Sequence, residues 1–317
     1  MNGIIDLHCD TILECFVKKQ GLKEHNGHIN LAKLKEGGSL AQCFAIFTPT
    51  SDIAQEYKIK GEAYDLYNQM YRLFASEIEA NRDVIRQARS AADIKANQEA
   101  GKLSAILTVE DCIFVEGKME RVEEMAKRGV KMASLTWNYE NSIGYPNSRD
   151  PKLHQKGLKP FGIEVVEAMN DLGIIPDVSH LSEGGFWDVV NYSKKPFAAS
   201  HSCARALCDH PRDLNDEQLA AMGEKGCVIG INFYSGFLEE GSDFTTDEAI
   251  LRHMKYIADK AGIDALAMGS DFDGISCGLE MKDFTGFPQL IGKMQRIFTD
   301  DQIDKITHLN FLRVLEA

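Results

Sequence analysis

The sequence predicts an α/β protein built as a (β/α)8 TIM barrel. The first observation is that eight short apolar runs alternate with segments of helical periodicity along the 317 residues. Near-continuous apolar runs are typical of parallel strands that are buried on both faces. The second observation is that five of these runs end in residues that bind metals or transfer protons. In a barrel all strand C-termini meet at one mouth, so we expect a single barrel domain over residues 1–317.

The predicted strands cover residues 4–7, 41–47, 103–109, 132–136, 174–178, 197–200, 227–233 and 266–269. Helices are predicted between or after them at 61–81, 118–128, 161–172, 216–225, 246–261 and 299–315, several of them followed by a glycine stop signal. Barrels usually need about 250 residues, and extra helices between the second and third strands account for the excess. The alternative is a doubly wound open sheet, which is disfavoured because no Gly-rich dinucleotide loop follows the first strand.

The composition is that of an ordinary soluble globular protein, with 44% hydrophobic and 26% charged residues. The net charge of −13 argues against nucleic acid and anionic membranes as partners. Residues 1–3 lead directly into the first predicted strand, without the basic segment and apolar run of a signal peptide. No apolar stretch is long enough to span a bilayer. The eight cysteines are scattered without a C-x-x-C pair. We therefore expect buried free thiols and a cytoplasmic, reducing location.

Candidate metal ligands stand at the ends of the predicted strands. His8 and Asp10 are two residues apart after the first strand, so their side chains point to the same face. Glu110 follows the third strand, and His180 and His201 follow the fifth and sixth. Carboxylates gathered at one mouth repel each other unless a cation lies between them. Nitrogen and oxygen ligands without thiolate favour zinc, with manganese, cobalt and iron as alternatives.

We expect two divalent ions that share Glu110, because this residue lies between the two groups of ligands in the strand order. The expected sets are His8, Asp10 and Glu110 for one ion, and Glu110, His180 and His201 for the other. Two ions about 3.5–4 Å apart can hold a bridging hydroxide that attacks a substrate. Asp271, at the end of the eighth strand, would then accept the proton of the water and return it to a leaving group.

Other residues near the predicted mouth are candidates for binding the substrate. Arg205 and Arg212 are the cations after the sixth strand, and either could hold a carboxylate through two hydrogen bonds. Tyr234, after the seventh strand, either packs or donates a hydrogen bond to substrate. The remaining histidines lie in helical or loop contexts and are expected to be solvated: His25, His28, His154, His210, His253 and His308.

The sequence resembles the membrane dipeptidase (renal dipeptidase) family of zinc metallopeptidases, and in particular its soluble bacterial-type members. The matching segments run in order over nearly the whole chain: DLHCDT at 6–11, VE at 109–110, DVSH at 177–180, SHS at 200–202, NFY at 232–234, GSDFDG at 269–274 and NFLRV at 310–314. The resemblance implies a barrel of the metal-dependent hydrolase type, two zinc ions and hydrolysis of dipeptides, including those with a C-terminal D-residue. Barrels of this family often form homodimers.

The resemblance also implies roles for individual residues. It assigns Asp271 as the catalytic acid and base, and it selects Arg212 rather than Arg205 as the anchor of the substrate carboxylate. The implied metal ligands are the same five that the strand ends indicate: His8, Asp10, Glu110, His180 and His201.

This chain departs from the family pattern at two positions. Some members carry a histidine in a Leu-Thr-His context that is thought to polarise the scissile carbonyl; here Trp137 and Asn138 follow Thr136. That role would pass to Asn138 or to the second metal. Many members follow the arginine with asparagine, whereas this chain has Asp213, whose charge would weaken carboxylate binding. Two rival functions therefore stay open: a barrel hydrolase of other amides, lactones or bases, and a metal-binding homologue with weak catalysis.

Overall fold

Eight parallel strands close into a barrel in the computed structural model, which describes residues 3–317 without the side chain of Ser51. The strands are β1 (Ile4–Asp6), β2 (Ser39–Phe47), β3 (Leu103–Glu110), β4 (Val130–Ser134), β5 (Ile175–Asp177), β6 (Ala198–Ser202), β7 (Val228–Ile231) and β8 (Leu266–Met268). Each strand pairs in parallel with the next, and β8 pairs with β1. This closure confirms the predicted barrel and excludes the open sheet.

Helices cover the outside of the barrel and connect its strands. Those up to β4 are Thr11–Lys18, Leu31–Glu36, Ser51–Glu56, Ala63–Ala80, Ala91–Glu99 and Met119–Arg128. Those between β4 and β8 are Pro151–His154, Pro160–Leu172, Glu183–Tyr192, Asp216–Glu224, Ser235–Leu238 and Asp247–Ala261. After β8 come Phe287–Met294, Asp300–Asp304, a π-helical turn Lys305–Leu309, and Asn310–Leu315.

The remaining regular structure is short. Three 3₁₀ turns cover Cys112–Val115, Ile263–Ala265 and Phe284–Gly286. The short strand Ile85–Gln87 pairs in parallel with residues 103–105 at the start of β3. A second short pair joins Phe244–Thr245 to Gly278–Leu279 beside the mouth.

Local sequence signals explain where the helices begin and end. Asn215 and Gln218 form a reciprocal capping box at the start of Asp216–Glu224. Gly129 and Gly173 end their helices in the left-handed conformation, with φ of 87° and 69°, and donate their N–H groups back to the last turn. The predicted strand and helix positions are confirmed to within a few residues. The expected excess between β2 and β3 consists of three helices and the strand Ile85–Gln87.

The two ends of the barrel differ in chemistry. At the N-terminal end, a buried apolar cluster with members from all eight strands packs against Phe311, Leu312 and Val314 of the last helix. Asn310 ties this helix to the start of β8, because its side-chain amide donates to the Leu266 carbonyl at 2.8 Å. The apolar plug closes this end and leaves the C-terminal mouth as the polar end, where function is expected in this fold.

All eight cysteines carry free thiols, and each is buried apart from the half-buried Cys277. This confirms the prediction that they are small packing residues. No helix among residues 3–317 combines the length and the apolarity needed to cross a bilayer.

Candidate metal centre and active site

Glu110, the last residue of β3, lies at the centre of the mouth and is 3% exposed. Its two carboxylate oxygens face different partners. Oε2 lies 3.4 Å from Nε2 of His8, whereas Oε1 lies 2.9 Å from Nε2 of His180 and 3.5 Å from Nε2 of His201. One carboxylate thus faces His8 with one oxygen and the His180 and His201 imidazoles with the other.

The β1 side of the site gathers His8 with two further carboxylates. Nε2 of His8 lies 3.4 Å from Oδ2 of Asp10 and 3.8 Å from Oδ1 of Asp271. The backbone fixes this arrangement, because Asp271 N–H donates to the His8 carbonyl and Asp10 N–H donates to the Phe272 carbonyl. Cys9 points away from the site, with its Sγ 3.4 Å from the Cys43 carbonyl oxygen, as the alternation of a strand predicts.

His180 and His201 form the other side, with their Nε2 atoms 3.0 Å apart. Nδ1 of His180 faces Oδ1 of Asn138 at 2.9 Å, and Nδ1 of His201 faces the Ser200 hydroxyl at 2.7 Å. When each Nδ1–H donates to its oxygen, each Nε2 presents a lone pair towards Glu110. Outer partners of this kind hold metal-binding imidazoles in one tautomer and one orientation.

Sequence reasoning missed Ser200 and Asp177, which support His201 from behind. The Ser200 hydroxyl also donates to Oδ2 of Asp177, and Oδ1 of Asp177 accepts the backbone N–H groups of Ser179 and Ser200. Their positions in the sequence could have indicated this role, because Asp177 lies three residues before His180 and Ser200 lies directly before His201. A pattern search for metal ligands passes over a serine.

Burial dominates the electrostatics of these side chains. Burial raises the pKa of Glu110 to about 8, and the charge of Asp10 acts in the same direction. Burial lowers the pKa of His180 and of His201 well below the usual range, so both rings are neutral. Burial also opposes protonation of His8, but Glu110 and Asp10 outweigh it and hold the His8 pKa well above its usual value. Carboxylates that draw a proton onto a buried imidazole favour a cation at that point.

The donor set fits divalent metal ions. Nε2 of His8 and Oδ1 of Asp10 are buried without a hydrogen-bond partner. A Cβ on Gly274 would lie 2.1 Å from Oδ2 of Asp10 and 2.7 Å from Oδ1 of Asp271, so the missing side chain keeps the space beside these carboxylates open. Buried imidazole and carboxylate donors without thiolate suit zinc and its neighbours.

Two groups of three ligand atoms lie within 4.8 Å of one another, and neither is one of the two expected sets. They are His8 with Glu110 and His201, and His8 with Asp10 and Asp271. The rings of His8 and His201 stack with centroids 3.8 Å apart, which brings the two sides of the site together.

Asp271 is oriented by a residue that sequence reasoning did not single out. The side-chain amide of Asn232 donates to Oδ2 of Asp271 at 2.9 Å, which leaves Oδ1 facing the site. Burial raises the pKa of Asp271 to about 6. Its backbone has a φ of 62°, and Asp111, His180 and Asp273 share this left-handed conformation. Non-glycine residues of this kind are strained and concentrate at functional sites.

The structure distinguishes the two candidate arginines. Arg205 fixes loops: its guanidinium donates to the carbonyls of Asp213 and Pro211 and to the carboxylate of Glu183. Arg212 is 5% exposed and donates from its two terminal nitrogens to the His201 carbonyl and the Ser202 hydroxyl. Each of these nitrogens carries a second N–H, so Arg212 retains a pair of donors for a carboxylate.

Asp213 lies beside Arg212 with its side chain buried, and this burial raises the Asp213 pKa well above the usual range. The effect of Asp213 on carboxylate binding stays a prediction.

The prediction that the other histidines are solvated is wrong for four of them. His25 is buried against Asp273, with Nε2 3.3 Å from Oδ2, and His154 is buried against Glu183. His253 and His308 are buried as well. The partners of His25, His154 and His253 are distant in sequence, and helical periodicity alone does not reveal such partners.

A cavity of about 260 Å³ opens in front of the ligands. Trp137, Asn138 and Tyr234 line it together with Asp10, Glu110, His180 and Asp271. Tyr234 also caps the helix Ser235–Leu238, and its backbone N–H donates to the side chain of Asn232. Arg212 lies behind the wall, with its guanidinium carbon 5.4 Å from the ring centre of Phe237, which lines the cavity.

A closed parallel barrel with imidazoles and carboxylates gathered around one shared glutamate at its C-terminal mouth defines a metal-dependent hydrolase. The chain belongs to the membrane dipeptidase family (peptidase family M19), whose family model matches residues 2–317. This membership confirms the predicted class of enzyme, a metallo-dipeptidase.

Known proteins with similar sequences or structures agree with this family. The chain is 33% identical over 268 residues to an uncharacterized protein of Klebsiella pneumoniae, covering 81% of this chain and 98% of that one. It is 30% identical over 300 residues to an uncharacterized dipeptidase of Schizosaccharomyces pombe, covering 90% and 71%. A Rhodobacter sphaeroides metallopeptidase, solved with a phosphinate mimic of the dipeptide L-Ala-D-Ala, superposes with a TM-score of 0.90 at 27% identity, covering 99% and 98%.

Proposed function

We propose that the enzyme hydrolyses dipeptides with two divalent ions, zinc being the first candidate. The observation that carries this proposal is the division of the Glu110 carboxylate between His8 on one side and His180 with His201 on the other. His8, Asp10 and Glu110 would hold one ion; Glu110, His180 and His201 would hold the second. When bound, such a pair lowers the pKa of water from about 15.7 towards about 7 and polarises the peptide carbonyl.

Asp271 is the proposed acid and base. Asn232 holds Oδ2 and leaves Oδ1 facing His8 and the reaction space. Asp271 accepts a proton from the attacking water and delivers it to the nitrogen of the departing amino acid. A carboxyl group with a pKa of about 6 is suited to both steps, because it can lose and regain a proton near neutral pH.

Arg212 is the proposed anchor of the substrate carboxylate. Its terminal nitrogens each keep one free N–H, its Nε is buried without a partner, and burial raises the pKa of Asp213 beside it well above the usual range. Asn138 and Tyr234 are proposed to contact the substrate from the cavity wall. Binding of an L-Ala-D-Ala mimic by the Rhodobacter sphaeroides relative supports acceptance of a C-terminal D-residue.

We further propose a cytoplasmic enzyme, because eight unpaired thiols suit a reducing compartment. From the family resemblance we also propose that the protein forms a homodimer. Size-exclusion chromatography with light scattering tests this directly.

The deciding experiment measures metal content and substrate range together. The purified chain is stripped with a chelator, reloaded with zinc, manganese or cobalt, and assayed on L,L- and L,D-dipeptides, lactones and nucleobases. We expect two ions per chain and dipeptide hydrolysis that disappears on chelation and returns on reloading. A limit of one ion per chain refutes the shared glutamate. Two ions without turnover identify a metal-binding homologue, and turnover of lactones or bases alone identifies the other rival.

A further inference from the structure

The cavity in front of the metal ligands has two chemically different ends. At one end, Phe237 lies against Arg212 and packs edge-on against Tyr234, with ring centres 4.9 Å apart. At the other end, Trp137 packs against Phe47, also with ring centres 4.9 Å apart. His180 stands beside the second end, its ring 6.0 Å from that of Trp137.

This layout gives a bound dipeptide one direction. Arg212 lies in the loop after β6 and Phe237 follows β7, whereas Phe47 ends β2 and Trp137 follows β4. In the closed barrel β3 lies between β2 and β4 and opposite β7, so the two ends of the cavity belong to opposite sides of the mouth. A dipeptide with its carboxylate at Arg212 and its peptide carbonyl before Glu110 must therefore direct its N-terminal residue towards Trp137 and Phe47.

The walls at this end are apolar. Leu13, Ile53 and Tyr57 line the cavity together with Trp137 and Phe47. Trp137 and Tyr57 are only half-buried, so their faces remain available for contact. An aliphatic side chain that binds here would move from water into contact with methyl groups and aromatic rings. This transfer is favourable in proportion to the apolar area that is buried.

The cavity offers no basic side chain to an acidic residue of the substrate. None of the described residues that line it is lysine or arginine. A carboxylate on the N-terminal residue would lose water against the apolar walls near Trp137 and Phe47 and would meet no basic side chain there.

We infer that Trp137 and Phe47 form a subsite for an apolar side chain on the N-terminal residue of the dipeptide. The enzyme then favours dipeptides with an aliphatic N-terminal residue and discriminates against acidic ones. Trp137 is a specificity-determining residue in this scheme, while its neighbour Asn138 accepts the hydrogen bond from Nδ1 of His180. The inference rests on the proposed dipeptidase function and on Arg212 as the carboxylate anchor.

The first test compares kcat/KM for Leu-D-Ala, Gly-D-Ala and Asp-D-Ala. The native enzyme should favour Leu over Gly by about 10- to 200-fold, the range that a hydrophobic pocket provides, and Asp should not exceed Gly. In Trp137→Ala the ratio of Leu to Gly should fall at least about tenfold. Equal rates for Leu and Asp in the native enzyme overturn the inference, and so does an unchanged Leu to Gly ratio in Trp137→Ala.

The second test measures binding without turnover. The chain has two tryptophans, and Trp187 lies in the helix Glu183–Tyr192 away from the cavity lining. In the Trp187→Phe variant, Trp137 is the remaining tryptophan, so the tryptophan fluorescence of the metal-loaded protein comes from it alone. Phosphinate mimics of Leu-D-Ala and Asp-D-Ala are titrated into this variant. The Leu mimic should change the emission and bind at least about tenfold tighter. Equal affinities, or tight binding of the Leu mimic with unchanged Trp137 emission, overturn the subsite.

The two tests separate the inference from the function on which it rests. Tight, selective binding of the Leu mimic without hydrolysis of any dipeptide would refute the dipeptidase activity and keep the subsite. Hydrolysis with no preference for Leu would keep the activity and refute the subsite. If Trp137→Ala does not fold, as judged by circular dichroism, Phe47→Ala takes its place with the same expected fall in the Leu to Gly ratio.

Discussion

Gly274 faces two carboxylates of the site without a side chain between them. The change Gly274→Ala adds one methyl group whose carbon would lie 2.1 Å from Oδ2 of Asp10 and 2.7 Å from Oδ1 of Asp271. Contacts of a Cβ below 3.0 Å are essentially never seen, so the Asp10 carboxylate must withdraw by about 0.9 Å. The methyl group removes no polar atom and changes no charge.

The displacement is large for a metal ligand and small for the fold. Metal–ligand distances tolerate about 0.2 Å, and a misplacement of about 1 Å can cost about 100-fold in rate. A hundredfold loss corresponds to about 2.7 kcal/mol of transition-state stabilisation. The carboxylate can rotate away from the methyl group, so overpacking should cost only about 1–3 kcal/mol of folding free energy.

The assay combines three measurements on Gly274→Ala: ions per chain after dialysis, kcat/KM on the best dipeptide, and thermal unfolding of the metal-free protein. We expect fewer ions, a loss of about 100-fold or more in kcat/KM, and a fall of only a few degrees in Tm. Gly292→Ala is the matched control, because no atom lies within 4 Å of its added Cβ. A Gly274→Ala enzyme with full metal content and kcat/KM within about threefold of native would refute the steric argument.

Four further substitutions probe separate parts of the site and fold. Asp271→Asn should keep both metals and lose about 10²- to 10⁴-fold in kcat, since it removes the proton carrier and keeps the shape; near-native kcat would exclude the proposed shuttle. His180→Ala should lower the number of ions bound per chain, and unchanged stoichiometry by mass spectrometry would remove it from the ligand set. Arg212→Met should raise KM for dipeptides with little change in metal content, whereas an unaltered KM would point to another carboxylate anchor. His253 is buried, and burial lowers its pKa to about 4. Below about pH 6.5 this histidine is therefore protonated in the unfolded chain but stays neutral in the folded chain. The free energy of unfolding should fall by about 2 kcal/mol between pH 7 and pH 5. His253→Gln should flatten this part of the pH dependence in chemical denaturation, and an identical slope would contradict the assignment.

The clustering of the candidate site residues could be predicted from the sequence because of chain direction. His8, Glu110, His180 and Asp271 all follow apolar runs, and parallel strands in a closed barrel bring their C-terminal ends to one mouth. No knowledge of side-chain packing is needed for that step. The same reasoning could not rank Arg205 against Arg212, because both lie in one loop and their different partners come from other loops.

The buried histidines show where periodicity fails. His253 lies in the helix Asp247–Ala261, where its helical context suggested solvent. Its Nδ1 instead accepts the backbone N–H of Ala204 at 3.2 Å, and Nε2 lies 3.0 Å from the Leu238 carbonyl. Both partners belong to the loops after β6 and β7, so the polar ring is satisfied by residues that become neighbours only in the closed barrel.

The sequence by itself determined the alternation of strands and helices, the barrel, and the gathering of the candidate ligands at the strand ends, because these depend on local periodicity and chain direction. Only the tertiary structure decided how Glu110 divides its oxygens, that Asn232 and Ser200 orient Asp271 and His201, and that Gly274 leaves room beside the carboxylates. These features depend on distances of a few ångströms between residues far apart in the chain. Such distances are set by the register of the closed barrel, which no local pattern encodes.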